Sequence, residues 1–274
     1  MAKKKKSKHS VPFKISWWFP LVTGIAIGVS VQQIPQVRAY TDEFIQPSAH
    51  HFAQESTLPG HPISSFHVHR QGYSLAYDAS RKNPAWVYEH LTAEKLQGNV
   101  DRSHFEFKED ESLPKHLRVS LADYRGSGFD RGHMAPAGNN KSSPEAMSDT
   151  FFMSNMCPQS PECNRGHWAK LEKHVRDLTR DYQNIFVITG PLYLPTIEEN
   201  GKRYVKYEVI GLNDVAVPTH FFKVITFEDW QGRKETRAYI LPNEAIPSTE
   251  PLDSFRTTVQ RVEKAAGIIF NKGD

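Results

Sequence analysis

The chain has 274 residues, of which 38% are hydrophobic, and a formal net charge of +3; this length is sufficient for one substantial globular core. Residues 1–39 hold six lysines, one arginine and no acidic residue, so the remaining chain carries a net charge of −4. This mildly acidic balance argues against a broad basic surface for nucleic acid, and any phosphate binding must come from a local cluster. Two cysteines are too few for a thiolate zinc site or a disulfide scaffold.

The N-terminus is typical of a targeting segment. Its lysines precede the apolar stretch of residues 15–31, and residues 37–39 follow as a cleavage site. Residues 1–39 therefore predict a signal peptide or an N-terminal membrane anchor, with residues 15–31 as the only means of membrane attachment. The predicted location is the periplasm or the exterior of the cell. A mitochondrial transit peptide fits less well, because the positive charge is all lysine until Arg38.

Residues 40–64 are rich in Gln, Pro, Ser and His and lack periodicity, so they predict a linker before a domain that spans residues 65–274. Hydrophobic alternation and short apolar runs predict the strands of this domain. The expected strands are Tyr73–Tyr77, Ala85–Glu89, Phe151–Ser154, Ile185–Thr189, Tyr204–Ile210, Thr219–Thr226 and Thr236–Leu241. The sequence Gly190-Pro191 is expected to end the fourth of them.

Two helices are expected. The clearer one spans Arg165–Gln183, where Trp168 and Leu171 begin an apolar series at spacings of three and four, and Asn164 is a good N-cap. The other spans Asp253–Ala266 and has apolar residues on one face. Strands grouped into a meander, with helices inserted, favour an α+β fold over a doubly wound parallel sheet.

The run Asp130-Arg131-Gly132-His133 carries the strongest chemical signal. A single histidine is more often structural than catalytic, but here two charged residues flank it and Gly132 allows close backbone approach. His133 is therefore the candidate general base, because the ordinary histidine pKa is ~6.5. Activity should rise with pH through that pKa, since only the neutral imidazole accepts a proton.

A second block, from Cys163 to Glu172, places amide and carboxylate oxygens at the start of the predicted helix. Asn164 is the candidate metal ligand, because an amide oxygen suits Mg²⁺, which keeps most of its waters and needs few protein ligands. Taken alone, Asn164 is better explained as a plain N-cap. Glu172 lies eight residues further on, on nearly the same helical face, and could hold a metal-bound water.

Other polar residues could complete such a site. Arg131 and Arg102 could each hold a phosphate oxygen, and Arg131 is the better candidate. Asn155 would orient the site from a neighbouring element, and Asn139 could do so from the loop after His133.

Two residue pairs have other interpretations. Cys157 and Cys163 could form a disulfide just before Asn164 if the domain is exported, and we slightly favour that pairing. His67 and His69 alternate on a strand, but no further ligand cluster accompanies them, so zinc binding is not favoured.

These blocks resemble the DNA/RNA non-specific endonucleases with a ββα-metal (His-Me finger) site. The resemblance covers residues from about Gly72 to Phe270 and is specific, because several separated blocks agree in order and spacing. They comprise Ala122–Phe129 leading into Asp130–His133, Met153–Asn155 with Pro158-Gln159, Asn164 with Trp168 and Leu171-Glu172, Thr189–Leu192, and Val217–Lys223. The implied fold is α+β, with a central, mostly antiparallel sheet flanked by helices.

The resemblance implies a Mg²⁺-dependent enzyme, with Mn²⁺ as a substitute, that hydrolyses phosphodiester bonds of DNA and RNA to 5′-phosphate ends. The implied roles are general base for His133, direct Mg²⁺ ligand for Asn164, support around the hydrated ion for Glu172 and Asn155, and phosphate contacts for Arg131 and, less surely, Arg102. A homodimer is also implied, and the mitochondrial intermembrane space stands as the alternative location.

The chain departs from the family pattern at three positions. Cys157 and Cys163 stand where apolar residues are expected, and Arg165 stands where a neutral glutamine is usual.

Two other functions are considered beside hydrolysis of nucleic acid. A non-catalytic nucleic-acid-binding module would keep the fold, but the net charge of −4 argues against it. A phosphodiesterase for small substrates is the other.

Overall fold

The computed structural model describes residues 66–270, so the predicted leader and linker lie outside the described residues. The strands, in chain order, are β1 Phe66–His69, β2 Ser74–Asp78, β3 Asn83–Leu91, β4 Asp130–His133, β5 Met156–Gln159, β6 Asn184–Leu192, β7 Thr196–Ile197, β8 Arg203–Tyr204, β9 Val209–Ile210, β10 Val215–Ala216, β11 His220–Glu228, β12 Lys234–Pro242 and β13 Arg256–Thr257. The α-helices are α1 Pro144–Asp149, α2 Pro161–Cys163, α3 Ala169–Leu178 and α4 Val259–Ala266. Within residues 66–270, every helix is too short or too polar to cross a bilayer.

A seven-stranded sheet forms the centre of the fold. Its strand order is β1-β2-β3-β6-β11-β12-β13, and each neighbouring pair is antiparallel. Three separate two-stranded pairs are β4–β5, β7–β8 and β9–β10. The predicted α+β class with a mostly antiparallel sheet is therefore confirmed.

Helices cover both faces of this sheet. Side chains alternate along β11, so neighbouring residues of this strand pack against helices on opposite faces. Phe221 belongs to the core cluster that contains Trp168, at the start of α3, and the two rings lie 5.4 Å apart. Phe222 and Val224 belong to the cluster on the opposite face, which contains Val262 of α4. Each such side chain contributes about 1.5–3 kcal/mol when fully buried, so α3 is held firmly against the sheet.

Most of the predicted strands are confirmed at their centres, but two predictions are wrong. Phe151–Ser154 is not a strand: the Phe151 ring packs against Met147 in a side cluster, and the strand β5 begins only at Met156. Tyr204–Ile210 divides into β8 and β9, which lie in different two-stranded sheets.

The strand β6 is longer than predicted. It continues through Gly190-Pro191, which lie opposite Phe222 and Phe221 of β11. An added side chain at Gly190 would lie 2.7 Å from both a backbone oxygen of Ala85 and the Phe222 ring. Gly190 therefore allows the strands to pack closely here, and β6 continues past it.

Both predicted helices begin later than expected. Gly166 has φ −100° and ψ −113°, which is not helical, so Asn164–Trp168 forms a wide, kinked turn and α3 starts at Ala169. In the C-terminal segment, Arg256–Thr257 pairs with β12 before α4 begins. Asn164 has helical backbone angles, φ −56° and ψ −47°, and follows α2 directly, so the predicted N-cap role of Asn164 is wrong.

Candidate active site

The antiparallel pair of β4 and β5 positions His133 beside the sheet. Asp130 lies opposite Gln159, and His133 lies opposite Met156. An added Cβ at Gly132 would come within 1.9 Å of the buried Gln159 side chain. Any larger residue than glycine would therefore push the two strands apart immediately before the candidate base.

Asn155 holds the chain immediately after His133. Its Oδ1 accepts the Ala135 amide at 2.9 Å, and its Nδ2 donates to the carbonyl oxygens of Ala135 at 3.0 Å and Thr150 at 2.9 Å. The side chain is buried, and all three of these hydrogen bonds are made with backbone groups of Ala135 and Thr150. Asn155 therefore positions the backbone beside the base and does not line the cleft described below.

The His133 ring packs against two aromatic side chains, which also contact each other. Its centroid is 5.6 Å from Phe107 and 5.3 Å from Phe151. The Nε2 atom is buried, and within the described residues no hydrogen bond reaches either ring nitrogen. Burial lowers the pKa of His133 to about 3, and the nearby Arg102 guanidinium lowers it further in the same direction. The imidazole is therefore neutral across the physiological range.

This lowered pKa argues against the expected pH dependence. A histidine with an ordinary pKa would gain activity between pH 5 and 8, but the described His133 is already deprotonated below that interval. The physical reason is the apolar surroundings of the ring, which destabilise the imidazolium. This effect could not be predicted from the sequence, because Phe107 and Phe151 lie far from His133 along the chain.

The same aromatic rings support the two candidate phosphate arginines. Arg131 Cζ lies 4.4 Å from the Phe107 centroid, and Arg102 Cζ lies 5.9 Å from the Phe151 centroid. Among residues 66–270, neither guanidinium forms an ion pair with a carboxylate. Their N–H groups are therefore available to anionic oxygens on a substrate.

Asp130 fixes the side chain of Asn164. Asn164 Nδ2 donates to Asp130 Oδ2 at 2.8 Å, while Arg165 donates to both oxygens of the same carboxylate, at 2.9 and 2.7 Å. Burial alone would raise the pKa of Asp130, but the hydrogen bonds from Arg165 and Asn164 lower it overall. Because Asn164 Nδ2 bonds Asp130, the amide oxygen of Asn164 is left without a partner among the described residues.

Glu172 and Arg176 extend this side of the site along α3. They stand one turn apart on the helix and share a face. Burial raises the pKa of Glu172, and the charges of Lys223, Arg176 and Arg102 oppose that shift. Arg176 donates to Asn139 Oδ1 at 3.2 Å, so Asn139 orients this arginine and not His133.

These side chains meet in one cleft of about 700 Å³. Its lining includes the predicted residues Arg102, Arg131, His133, Asn164 and Glu172. It also includes three further cationic residues, Lys141, Arg165 and Arg176, of which only Arg165 was singled out from the sequence, whereas its acidic lining residues are Asp101 and Glu172. The cleft is therefore a local positive cluster in an acidic domain. Arg176 could have been found from its spacing to Glu172, but no sequence signal indicated Lys141.

The chemistry of the cleft fits a hydrated hard cation. Residues 66–270 contain no group of three or more His, Cys, Asp or Glu side chains that could enclose a metal ion. The donors that remain are the unpaired amide oxygen of Asn164 and the carboxylate of Glu172. Mg²⁺ suits such a set, because it keeps several waters and uses one or two protein oxygens.

Two other interpretations from the sequence fare differently. Cys157 and Cys163 are both free thiols and both buried in the main core cluster, so the favoured disulfide is wrong. His67 and His69 lie on β1 and do not line the cleft, and His67 instead packs its ring 5.8 Å from Trp86.

The model of one family, described as DNA/RNA non-specific endonuclease, matches residues 54–273. The chain belongs to the DNA/RNA non-specific endonuclease family. Human mitochondrial endonuclease G is 49% identical over 201 residues, which is 73% of this chain and 68% of the relative. Nuclease C1 of Cunninghamella echinulata is 46% identical over 206 residues, covering 74% of this chain and 81% of the relative.

A solved structure agrees with these relatives. The crystal structure of an EndoG/EndoGI complex matches with a TM-score of 0.73 and 48% identity, over 74% of this chain and 84% of that chain. The predicted resemblance is therefore confirmed, including its likeness to endonuclease G. This protein is a DNA/RNA non-specific endonuclease, a hydrolase, of a family that depends on divalent metal.

Proposed function

We propose that this endonuclease uses Mg²⁺, with Mn²⁺ as a substitute, to hydrolyse DNA and RNA to 5′-phosphate ends, and that His133 activates the attacking water. The observation that carries the proposal is the cleft itself. An unpaired imidazole and the unpaired amide oxygen of Asn164 both line it, together with Arg102 and Arg131.

His133 takes the proton from water as the water oxygen attacks phosphorus. A low pKa keeps this ring neutral at working pH, so its lone pair needs no prior deprotonation. Arg131 and Arg102 bind the phosphate oxygens, which gain negative charge during attack. A bound divalent ion supplies positive charge that stabilises the pentavalent phosphorus and the departing 3′-oxygen.

Asn164 would hold the ion through its amide oxygen, and the Glu172 carboxylate would support the hydrated ion. Asp130 and Arg165 keep the amide in the required orientation, because Asp130 engages its nitrogen. Asn155 contributes indirectly by fixing the backbone after His133. These assignments fit the donors present, since within residues 66–270 neither the His133 ring nor the Asn164 amide oxygen has a hydrogen-bond partner.

Digestion of plasmid DNA and of RNA, with and without EDTA, tests this function. Wild-type protein should cut both substrates, EDTA should stop cleavage, and added Mg²⁺ or Mn²⁺ should restore it. Cleavage by the His133→Ala variant at the wild-type rate would contradict the assignment of the base. Salt-sensitive binding without cleavage would instead support a binding module, and faster hydrolysis of bis-p-nitrophenyl phosphate than of DNA would support a small-substrate phosphodiesterase.

The remaining expectations concern assembly and location. We propose a homodimer, a leader in residues 1–39, a linker in residues 40–64 and a nuclease domain in residues 65–274. The names of several relatives place them in mitochondria, which favours that alternative over export. Light scattering would test the dimer. Cell fractionation with N-terminal sequencing of the mature protein would decide the location and whether the leader is removed.

A further inference from the structure

Arg165 carries a positive charge next to the proposed metal ligand. It follows Asn164 directly in the chain, and its side chain lines the cleft. Arg131 and Arg102 line the same cleft but lie against the aromatic rings that pack on His133. The cleft therefore holds guanidinium groups both near the proposed base and beside the proposed metal ligand.

One edge of the Arg165 guanidinium is held by Asp130. Arg165 Nε donates to Asp130 Oδ2 at 2.9 Å and Nη2 donates to Oδ1 at 2.7 Å, while Asn164 Nδ2 donates to the same Oδ2 at 2.8 Å. A guanidinium is planar and holds its five N–H groups in a rigid fork. Bonds to both carboxylate oxygens therefore fix its plane, immediately beside the Asn164 amide.

The opposite edge of the guanidinium has no partner within residues 66–270. No hydrogen bond of the described residues reaches Arg165 Nη1, and the side chain is 72% exposed. The charge of Glu162 also acts on Arg165, but among the described residues the ion pair of Arg165 is with Asp130. An exposed arginine usually loses rotamer freedom when it binds an anion. Asp130 has already restrained this one, so both N–H groups of Nη1 are held ready for an anionic oxygen.

The neighbouring site indicates which anion this edge meets. In the proposed function, the ion on Asn164 and the two arginines near His133 bind the phosphate that is cut. A nucleic-acid strand carries a further phosphate on each side of that one, and Arg165 lies beside the ion position. Contacts to such phosphates hold a strand in register without reading its bases, which suits a non-specific endonuclease.

We propose that Arg165 binds, through Nη1, a phosphate adjacent to the scissile one and so helps to hold polynucleotide substrates in the cleft. This inference rests on the proposed function, which places the scissile phosphate at Asn164. The Asp130 carboxylate then serves two side chains, because it orients the metal ligand with one oxygen and the strand-binding arginine with both.

The test is binding of a short DNA duplex in EDTA, measured by fluorescence anisotropy over a series of salt concentrations. EDTA prevents cleavage and removes any effect through a bound ion, whereas contacts from arginines need no ion. For Arg165→Gln we expect the Kd to rise about tenfold, the value of one charge-assisted hydrogen bond. The slope of the logarithm of affinity against the logarithm of salt concentration should fall by about 0.9, as for one lost phosphate contact. Arg165→Lys keeps the charge and should keep most of the slope.

Arg180→Gln is the matched control. Arg180 is 77% exposed and pairs with Asp177 at 3.2 Å, but it does not line the cleft. Its substitution removes the same charge from the domain, and the wild-type Kd and slope are expected. An equal loss in Arg180→Gln and Arg165→Gln would mean that only the net charge of the domain matters, which would contradict the inference.

A double variant separates a phosphate contact from charge neutralisation. Arg165→Gln leaves Asp130 without its ion-pair partner, and an unpaired carboxylate repels DNA. Asp130→Asn/Arg165→Gln removes both charges and keeps the net charge of the wild type. It should still bind several-fold more weakly than the wild type, because the Nη1 donors are gone. Wild-type affinity in this double variant would overturn the inference, since Arg165 would then act only by neutralising Asp130.

Cleavage of the same duplex with Mg²⁺, by the wild type and by His133→Ala, is measured in parallel. If the wild type does not cut, or if His133→Ala cuts at the wild-type rate, the proposed function fails. If those results are as expected but Arg165→Gln binds with the wild-type Kd and slope, only the inference about Arg165 fails. It also fails alone if the wild type cuts with Mg²⁺ but does not bind the duplex in EDTA.

Discussion

The two walls of the cleft hold their functional side chains by opposite means. On the apolar wall, His133 lines the cleft, Phe107 and Phe151 pack behind it, and the ring has no hydrogen bond in the described residues. On the charged wall, the lining residues are Asn164, Arg165, Glu172 and Arg176. Asp130 pairs with Arg165 and accepts a hydrogen bond from Asn164, and Arg176 donates to Asn139. The apolar wall leaves a lone pair of His133 available, and the charged wall holds oxygen atoms in place for a cation.

The largest expected effects come from removing the central residue of each wall. His133→Ala should lower kcat by roughly 10²–10⁴, the usual contribution of a positioned base, while Mg²⁺ binding measured by calorimetry stays unchanged. Asn164→Ala should lose Mg²⁺ binding and activity together. If His133→Ala also lost Mg²⁺ binding, the two walls would not have separate roles.

Asp130 tests whether the charged wall works by orientation. Asp130→Ala frees the Asn164 amide to rotate, and we expect Mg²⁺ affinity to fall about 10- to 100-fold, as for other partners that orient a metal ligand. Calorimetry in the absence of substrate is the measurement. Wild-type affinity in this variant would mean that the Asp130 hydrogen bond does not orient the ligand.

Arg102 and Arg131 form a matched pair on the apolar wall. Each binds phosphate in our account, so Arg102→Ala and Arg131→Ala should each lower kcat/KM by about tenfold, the value of one charge-assisted hydrogen bond. Burial is the main cause of the lowered pKa of His133, and of these two arginines Arg102 is the one that lowers it further. NMR titration should therefore show a higher His133 pKa in Arg102→Ala and an unchanged one in Arg131→Ala. Equal shifts in both variants would contradict this distinction.

The smallest effect is expected from pH. Because the pKa of His133 is lowered to about 3, the free enzyme binds no proton there between pH 5 and 8. The profile of kcat/KM over that interval should show no ionisation of His133, and NMR should show a neutral ring at pH 5. A His133 pKa near 6.5 would mean that the apolar wall does not exclude water as described.

Much of the site could be predicted from the sequence, because its residues lie in two short, dense motifs. Asp130–His133 became β4, and Asn164 and Glu172 both line the cleft, although the kink at Gly166 interrupts the regular helix between them. The aromatic neighbours of His133 could not be found in this way. Their effects depend on contacts between distant segments, which leave no periodic pattern in the chain.

The fold could be predicted from the sequence to a similar extent. Alternating apolar residues located β2, β3, β11 and β12, because a period of two is a direct consequence of a half-buried sheet. The start of α3 was not predictable, since the kink depends on the backbone angles of Gly166, which its residue type permits but does not require.

A crystal structure of His133→Ala with Mg²⁺ and a short DNA duplex would show whether the metal ion and the DNA share this cleft. We expect an ion on the Asn164 amide oxygen and a phosphate of the DNA in the same cleft, in contact with Arg131. An ion held by other side chains, or DNA bound with every phosphate outside this cleft, would contradict it.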